Sequence, residues 1–336
     1  MSKLASRRLL LLAASGTAAA LPLTRLRAKA AQFEYKQSHA VPIEHPFHVR
    51  TIQMWEAVKR ETSGRLAVTT YPNSVLGSAQ EVNTQLRLGA IQFALQSSAS
   101  FAAIVPPCQI DAVGYAFSSS QQAWRVMHGP LGRWLGEEFA KRGLFAFPMR
   151  YESGMFQITT FNKPIRTVTD LAGLKIIVPP QKIAVDLFRA LGAAPDPLPA
   201  TDWYTSLQTH LAESVEAPVA TIDTFKLYEF QHYLSITNHI WSGAWEAANA
   251  EAWNALPTDI REIVLRNQAK YAALERNDGL LAYTSLVDKL RRNGLALNTT
   301  DTSGMRPRLG QYYAAWKAEL GVTPWSLLEA GVGKLS

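Results

Sequence analysis

Apolar and polar positions alternate from Phe33 to Ser38, the period-two signature of a strand, and His39 stands where that strand would end. Val49 to Glu61 then carries Ile52, Trp55 and Val58 at helical spacing and stops at Ser63-Gly64. Leu66 to Tyr71 is a β-rich run closed by Pro72-Asn73. Glu81 to Leu88 predicts a helix ended by Gly89, and Ile91 to Leu95 a short buried strand that runs into Gln96-Ser97-Ser98. The order β-α-β-α-β implies a parallel sheet with helices on its faces. Such sheets hold ligands beyond the carboxyl ends of their strands, which nominates His39 and Gln96 to Ser98.

The pattern restarts after Gly154. Gln157 to Phe161 and Lys175 to Val178 predict strands, and Lys182 to Leu191 a helix ended by Gly192. Thr201-Asp202 is placed to cap a further helix through Leu211, since Asp accepts the free amides of a first turn. Glu246 to Arg276 has a helical pattern interrupted near Pro257. No internal repeat or low-complexity tract occurs. Two α/β lobes with a cleft between them follow from this pattern.

The first thirty residues stand apart. Ser6-Arg7-Arg8 precedes a mostly apolar run from Leu9 to Leu23, and Ala28-Lys29-Ala30 has the form of a cleavage site. The apolar run is short for a membrane span and is broken by Ser15, Gly16, Thr17 and Pro22, so a removable export signal is expected. The Arg pair resembles a twin-arginine signal more than a plain secretory one. The formal charge of +7 changes meaning accordingly: six of the 34 basic residues lie in this leader and none of the 27 acidic ones do. The remainder is near neutral, with no basic patch interleaved with aromatics, which argues against a nucleic-acid partner. One cysteine, Cys108, rules out an internal disulfide and any cysteine-based zinc site.

In the second half of the chain DLAGLKIIVPP is followed by YTSLQTHLAESVEAP and KLYEFQHYLSITNH. The first half supplies HAVPIEHPFH, YPNSVLGSAQEVNTQLRLGAI and VMHGPLG. In order and spacing these segments resemble the DctP-type substrate-binding proteins of TRAP transporters over nearly all of residues 31–336. The resemblance implies an exported, non-catalytic receptor with a two-lobed periplasmic-binding-protein-like fold. A long helix would span the hinge, and the ligand would lie in the cleft between the lobes. It implies lobe one near 31–154 plus about 243–282, and lobe two near 155–242 plus about 283–336. The partners implied are a small organic ligand and the small and large membrane permease subunits; a monomer without cofactor or metal is expected.

The same resemblance exposes departures at the site. Where family members carry an arginine in GLKIRVP, this chain has Ile177, and Phe156 takes a second arginine position in Gly154-Met155-Phe156-Gln157. Glu216-Ala217-Pro218 stands for ENP, removing an amide. Trp203 replaces a small aliphatic residue, while Trp241 and Trp245 follow the TNH motif in what is pocket wall in the family. A carboxylate buried without a paired cation would cost several kcal/mol. The expected ligand is therefore aromatic or bulky and apolar, with an aromatic acid admissible if Arg150, just before the Tyr151-Glu152-Ser153-Gly154 turn, supplies the cation. The alternative is an organic cation in a Trp/Tyr cage with Glu152 or Glu216 as counter-charge. Glu81, in the helix that follows the segment YPNSVLGS, and Tyr151 complete the candidate ligand-binding set of His39, Gln96, Ser97, Arg150, Phe156, Ile177, Trp203, Glu216, Trp241 and Trp245.

An enzyme is the rival from another class. His39, His45 and His48 are close in sequence, but His45-Pro46 and the loop context disfavour a metal site, and no H-E-x-x-H, G-x-S-x-G, P-loop or G-x-G-x-x-G occurs. A binding protein coupled to an ABC transporter or a sensor kinase is the other rival, which a neighbouring pair of permease genes would exclude.

Overall fold

The computed structural model describes residues 31–336; the expected leader lies outside the described residues. The strand pattern begins with β1 (Phe33–Ser38), β2 (Leu66–Tyr71) and β3 (Phe93–Ser97), separated by α1 (Pro46–Glu61) and α2 (Ala79–Arg87). α3 (Ser98–Phe101), α4 (Ser120–Met127), α5 (Pro130–Ala140) and β4 (Leu144–Ala146) lead to the long strand β5 (Tyr151–Thr160). β6 (Lys175–Val178), α6 (Lys182–Ala190), β7 (Ala194–Pro197), α7 (Ala200–Gln208), β8 (Ser214–Pro218), α8 (Val219–Thr224) and β9 (Tyr233–Ile236) follow. The chain returns through β10 (Trp241–Asn249), α9 (Ala250–Ala255), α10 (Thr258–Arg292) and β11 (Ala296–Thr299), and ends in α11 (Gly310–Leu320) and α12 (Val322–Val332).

The expected parallel core is present: β1 pairs in parallel with β2 and β3, and β6 with β7 and β8. Two antiparallel strands join these halves. β10 pairs with β3 on one side and with the first half of β5 on the other; the second half of β5, from Phe156, pairs with β8 and β9. β5 thus passes from one half-sheet into the other, and the molecule is two-lobed. All nine residues of β10 are buried, as a strand covered on both faces must be.

The long helix bridges both lobes. Near its start, Ile260 and Val264 pack with Met54, Trp55 and Val58 of α1, while near its end Leu286 and Leu290 pack with Val219 and Ile222 of α8. It begins later and runs further than the pattern Glu246 to Arg276 predicted. Glu246 belongs to β10, where its carboxyl accepts two hydrogen bonds from Gln37 Nε2 (2.7 and 2.9 Å). Burial between two covered faces prevails there over helical spacing. Asp202 likewise lies inside the first turn of α7 rather than capping it, because the extended backbone of Pro199 already starts the helix at Ala200. The final helices return to the rest of the chain: α11 packs on α6, and α12 on α4 and α5. Among the described residues no helix is long and apolar enough to cross a membrane.

Candidate functional site

A cavity of about 400 Å³ opens where β5 leaves one half-sheet for the other. Glu152 to Met155, expected as part of a turn but lying in β5 where it pairs with β10, forms one wall, Ser118 to Gln121 at the start of α4 a second, and Val219 with Ala220 at the start of α8 a third. The long helix closes it. Arg276, Gly279, Tyr283 and Leu286 recur at three- and four-residue spacing, which sets them on one helical face. Asn238, held at φ 45°, and His45 with Pro46 complete the lining.

Glu152 organises the polar end. Its Oε1 accepts the Trp241 indole N–H at 3.0 Å and its Oε2 accepts that of Trp124. Arg276 Nε lies 3.5 Å from the same Oε2 without making a hydrogen bond, and its guanidinium stacks 4.1 Å above the Trp124 ring. The Glu152 amide donates to Glu275 Oε2 at 2.9 Å. Burial, reinforced by the nearby Glu152 charge, pushes the Glu275 carboxyl up to about 8, so it is protonated at neutral pH. Asp278 is neutralised by Arg50, whose Nε donates to it at 2.6 Å.

Of the residues nominated from sequence, Glu152, a candidate counter-charge, lines this cavity, and the members of the ligand-binding set do not. Arg150 is fully buried. Its Nη2 donates to Asp111 Oδ2 (2.6 Å), Ser98 Oγ (2.7 Å) and Gly243 O (3.2 Å), and its guanidinium lies 4.4 Å from the Trp245 ring and 5.2 Å from that of Trp241. Trp245 donates to Ser98 Oγ at 3.2 Å and lines a separate cavity of about 350 Å³ beside α5 and β4. Trp241 joins the two regions, touching Arg150 with its ring and Glu152 with its N–H.

The remaining nominees are committed elsewhere. Ile177 is wholly buried in a cluster with Trp203, Leu207, Val215 and Ala217, and Trp203 donates to Leu198 O at 2.9 Å. Phe156 packs in the main core cluster at the point where β5 enters the second half-sheet. Glu216 holds His239 at 2.5 Å. Tyr151 directs its hydroxyl at Met54 Sδ. His39 contacts His48 (3.0 Å), Gln96 donates to Asn83 Oδ1 (3.1 Å), and Ser97 caps α3. Glu81 is exposed and closes a capping box with Ser78 at the start of α2.

Sequence inspection passed over Arg276, Glu275 and Tyr283. The signal was the charged run Glu275-Arg276-Asn277-Asp278-Gly279 inside a longer helix, which the early helix end concealed. Among the described residues no group of three or more His, Cys, Asp or Glu is arranged to hold a metal ion.

Two half-sheets joined by a strand that passes from one to the other, a helix spanning both and a cavity at the crossing define a two-lobed solute-binding protein. The model of DctP, the bacterial extracellular solute-binding protein family 7, matches residues 37–319, and the chain belongs to this family, the solute receptors of TRAP transporters. These are solute-binding proteins, not enzymes. The C4-dicarboxylate-binding periplasmic protein DctP of Rhodobacter capsulatus is 29% identical over 283 residues, covering 82% of this chain and 84% of that protein. An uncharacterized protein of Sinorhizobium fredii, y4mM, is 29% identical over 232 residues, covering 68% of this chain but 43% of its own length. The sugar acid binding protein DctPAm of Advenella mimigardefordensis, solved in complex with galactonate, superposes with a TM-score of 0.85 at 23% identity, covering 92% of this chain and all of that one.

Proposed function

We propose that the protein is the extracytoplasmic receptor of a TRAP transporter that closes its lobes on a small organic acid with an aromatic or bulky apolar body. It then delivers the acid to a permease of one small and one large membrane subunit. The observation that carries this proposal is the apolar filling of the positions where the family resemblance places a carboxylate clamp. Phe156, Ile177 and Ala217 are all packed in hydrophobic clusters. The cavity adds Met155, Val219, Leu280, Tyr283 and Leu286, surfaces suited to a ring or a branched chain. Relatives named for a C4-dicarboxylate and for galactonate support a carboxylate somewhere on the solute.

An organic cation fits less well, because its counter-charges are engaged: Glu152 by two indoles and Arg276, Glu216 by His239. Residues 1–30 serve as the leader in this proposal, with Arg7-Arg8 directing twin-arginine export. In this proposal the lobe boundary lies near 154, supported by the passage of β5 from one half-sheet to the other, and again near 242, just after β10 begins in the first half-sheet.

The test is to express residues 31–336, release whatever small molecule co-purifies and identify it by mass spectrometry. A thermal-shift panel of aromatic acids, aliphatic acids and organic amines on the emptied protein follows. Ligand at 100 times its Kd stabilises by about 2.7 kcal/mol, a readable shift. An aromatic or branched acid supports the proposal; a small dicarboxylate or an amine would overturn its ligand class.

A further inference from the structure

We propose that Arg276, on the long helix, receives the solute's carboxylate and so replaces the clamp lost at Ile177. This inference rests on the cavity being the receptor's solute site. Among the described residues lining that cavity, Arg276 is the only Lys or Arg. The one lining histidine, His45, is held down to about 4 by burial and is neutral at pH 7. Arg150 does not line the cavity: it is fully buried, its Nη2 is held by Asp111, Ser98 and the Gly243 carbonyl, and its Nε and Nη1 are buried without partners.

The surroundings of Arg276 prepare it for an anion without satisfying it. Stacking on Trp124 fixes the plane of the guanidinium. Glu152 balances its charge, yet both oxygens of Glu152 are taken by indole N–H groups, and Arg276 Nε has no hydrogen-bond partner. The side chain remains 25% exposed, and the residue borders the cavity. A planar fork held in this way matches the two oxygens of a carboxylate. The neighbouring acids do not compete: Glu275 is protonated at neutral pH, and Asp278 is paired with Arg50.

The geometry also sets the solute's orientation. On the helix, Tyr283 and Leu286 follow Arg276 by two and nearly three turns, so an apolar body anchored at the guanidinium would run along that face past Met155 toward Val219. A single carboxylate at one end of an apolar body is the solute class this arrangement selects. A dicarboxylate would leave its second charge against Leu286 and Val219, which is costly without a partner.

The test uses benzoate, phenylacetate and 3-phenylpropionate, with their uncharged primary amides, titrated calorimetrically into residues 31–336 at pH 7. The wild type should bind at least one acid and prefer it to its amide. Arg276→Gln should weaken the acid by about 10–100-fold, the range of a charge-assisted hydrogen bond, while leaving amide affinity nearly unchanged. Arg276→Lys should fall between them. A merely structural role would weaken acid and amide alike, and that result would overturn the proposal, as would unchanged acid binding by Arg276→Gln. Unchanged binding would remove the anchor but spare the acid receptor. Failure of the wild type to bind any of the acids would instead remove both.

Discussion

Two arginines in this molecule stack on tryptophan and face a carboxylate, yet their surroundings assign them opposite work. Arg150 is fully buried, with Asp111 in hydrogen-bond contact and Trp245 and Trp241 beside it. Arg276 is partly exposed, 3.5 Å from a carboxylate already engaged by two indoles, at the edge of a cavity. The first pair has left water and must keep its partner; the second retains capacity for another. Type and neighbours are alike in both, and each has guanidinium nitrogen without a hydrogen-bond partner, so burial and access to the cavity separate a structural arginine from one able to bind a ligand.

The sharpest way to break the comparison is to remove each carboxylate or cation in turn. Asp111→Ala leaves Arg150 charged and unpaired in the core and should cost about 3–5 kcal/mol, read as a fall in the urea midpoint. Adding Arg150→Met should recover much of that loss. Arg276→Gln should shift stability by less than about 1 kcal/mol, as expected of a partly exposed pair. Equal losses at the two sites would abolish the distinction.

Smaller effects sharpen it. Gly243 lies where β10 shifts register against β5, and a Cβ there would stand 2.9 Å from the Trp241 ring and from Tyr151 O, and 3.3 Å from Arg150 Cζ. Gly243→Ala should therefore cost about 1–3 kcal/mol by crowding the buried arginine. Trp241→Phe removes one N–H from Glu152 and should cost about 1 kcal/mol, while tightening the hold of Glu152 on Arg276 and weakening acid binding in the calorimeter.

The pH dependence of stability gives the gentlest test. Glu275 and Glu246 titrate at about 8 in the folded protein and near their ordinary 4.5 when unfolded. The folded state therefore holds protons that the unfolded chain has released, so this contribution declines as pH rises from about 4.5 and is lost once pH passes 8. His39, His45 and His128, lowered to about 4 by burial, act in the opposite sense and are complete by about 6.5. Denaturation midpoints should thus fall between pH 6.5 and 8. Glu275→Gln should flatten that fall, leaving the share of Glu246.

The parallel strands were legible because alternation and turn residues mark them; β1, β2 and β6 begin and end where the pattern places them. The crossing region was harder. β10 carries Trp241, Trp245 and Glu246 in a strand buried on both faces, so no period distinguishes it from a helix. At the positions where the resemblance implies a clamp, the sequence showed Phe156, Ile177 and Ala217, and these are packed in hydrophobic clusters. The surroundings of Arg276 could not be read, because its partners Glu152 and Trp124 are far off in sequence. Arg150 illustrates the converse: its place just before the expected Tyr151–Gly154 turn suggested a cleft residue, whereas it is buried with its Nη2 on Asp111 and Ser98, which local inspection does not reveal.

The most direct test of the account is a crystal structure of residues 31–336 with the co-purified solute in place. The account predicts solute density in the cavity along the long helix, its carboxylate within 3 Å or so of the Arg276 guanidinium and its apolar body against Tyr283 and Leu286. Density instead beside Ile177 and Trp203, or against an Arg150 released from Asp111, would contradict it.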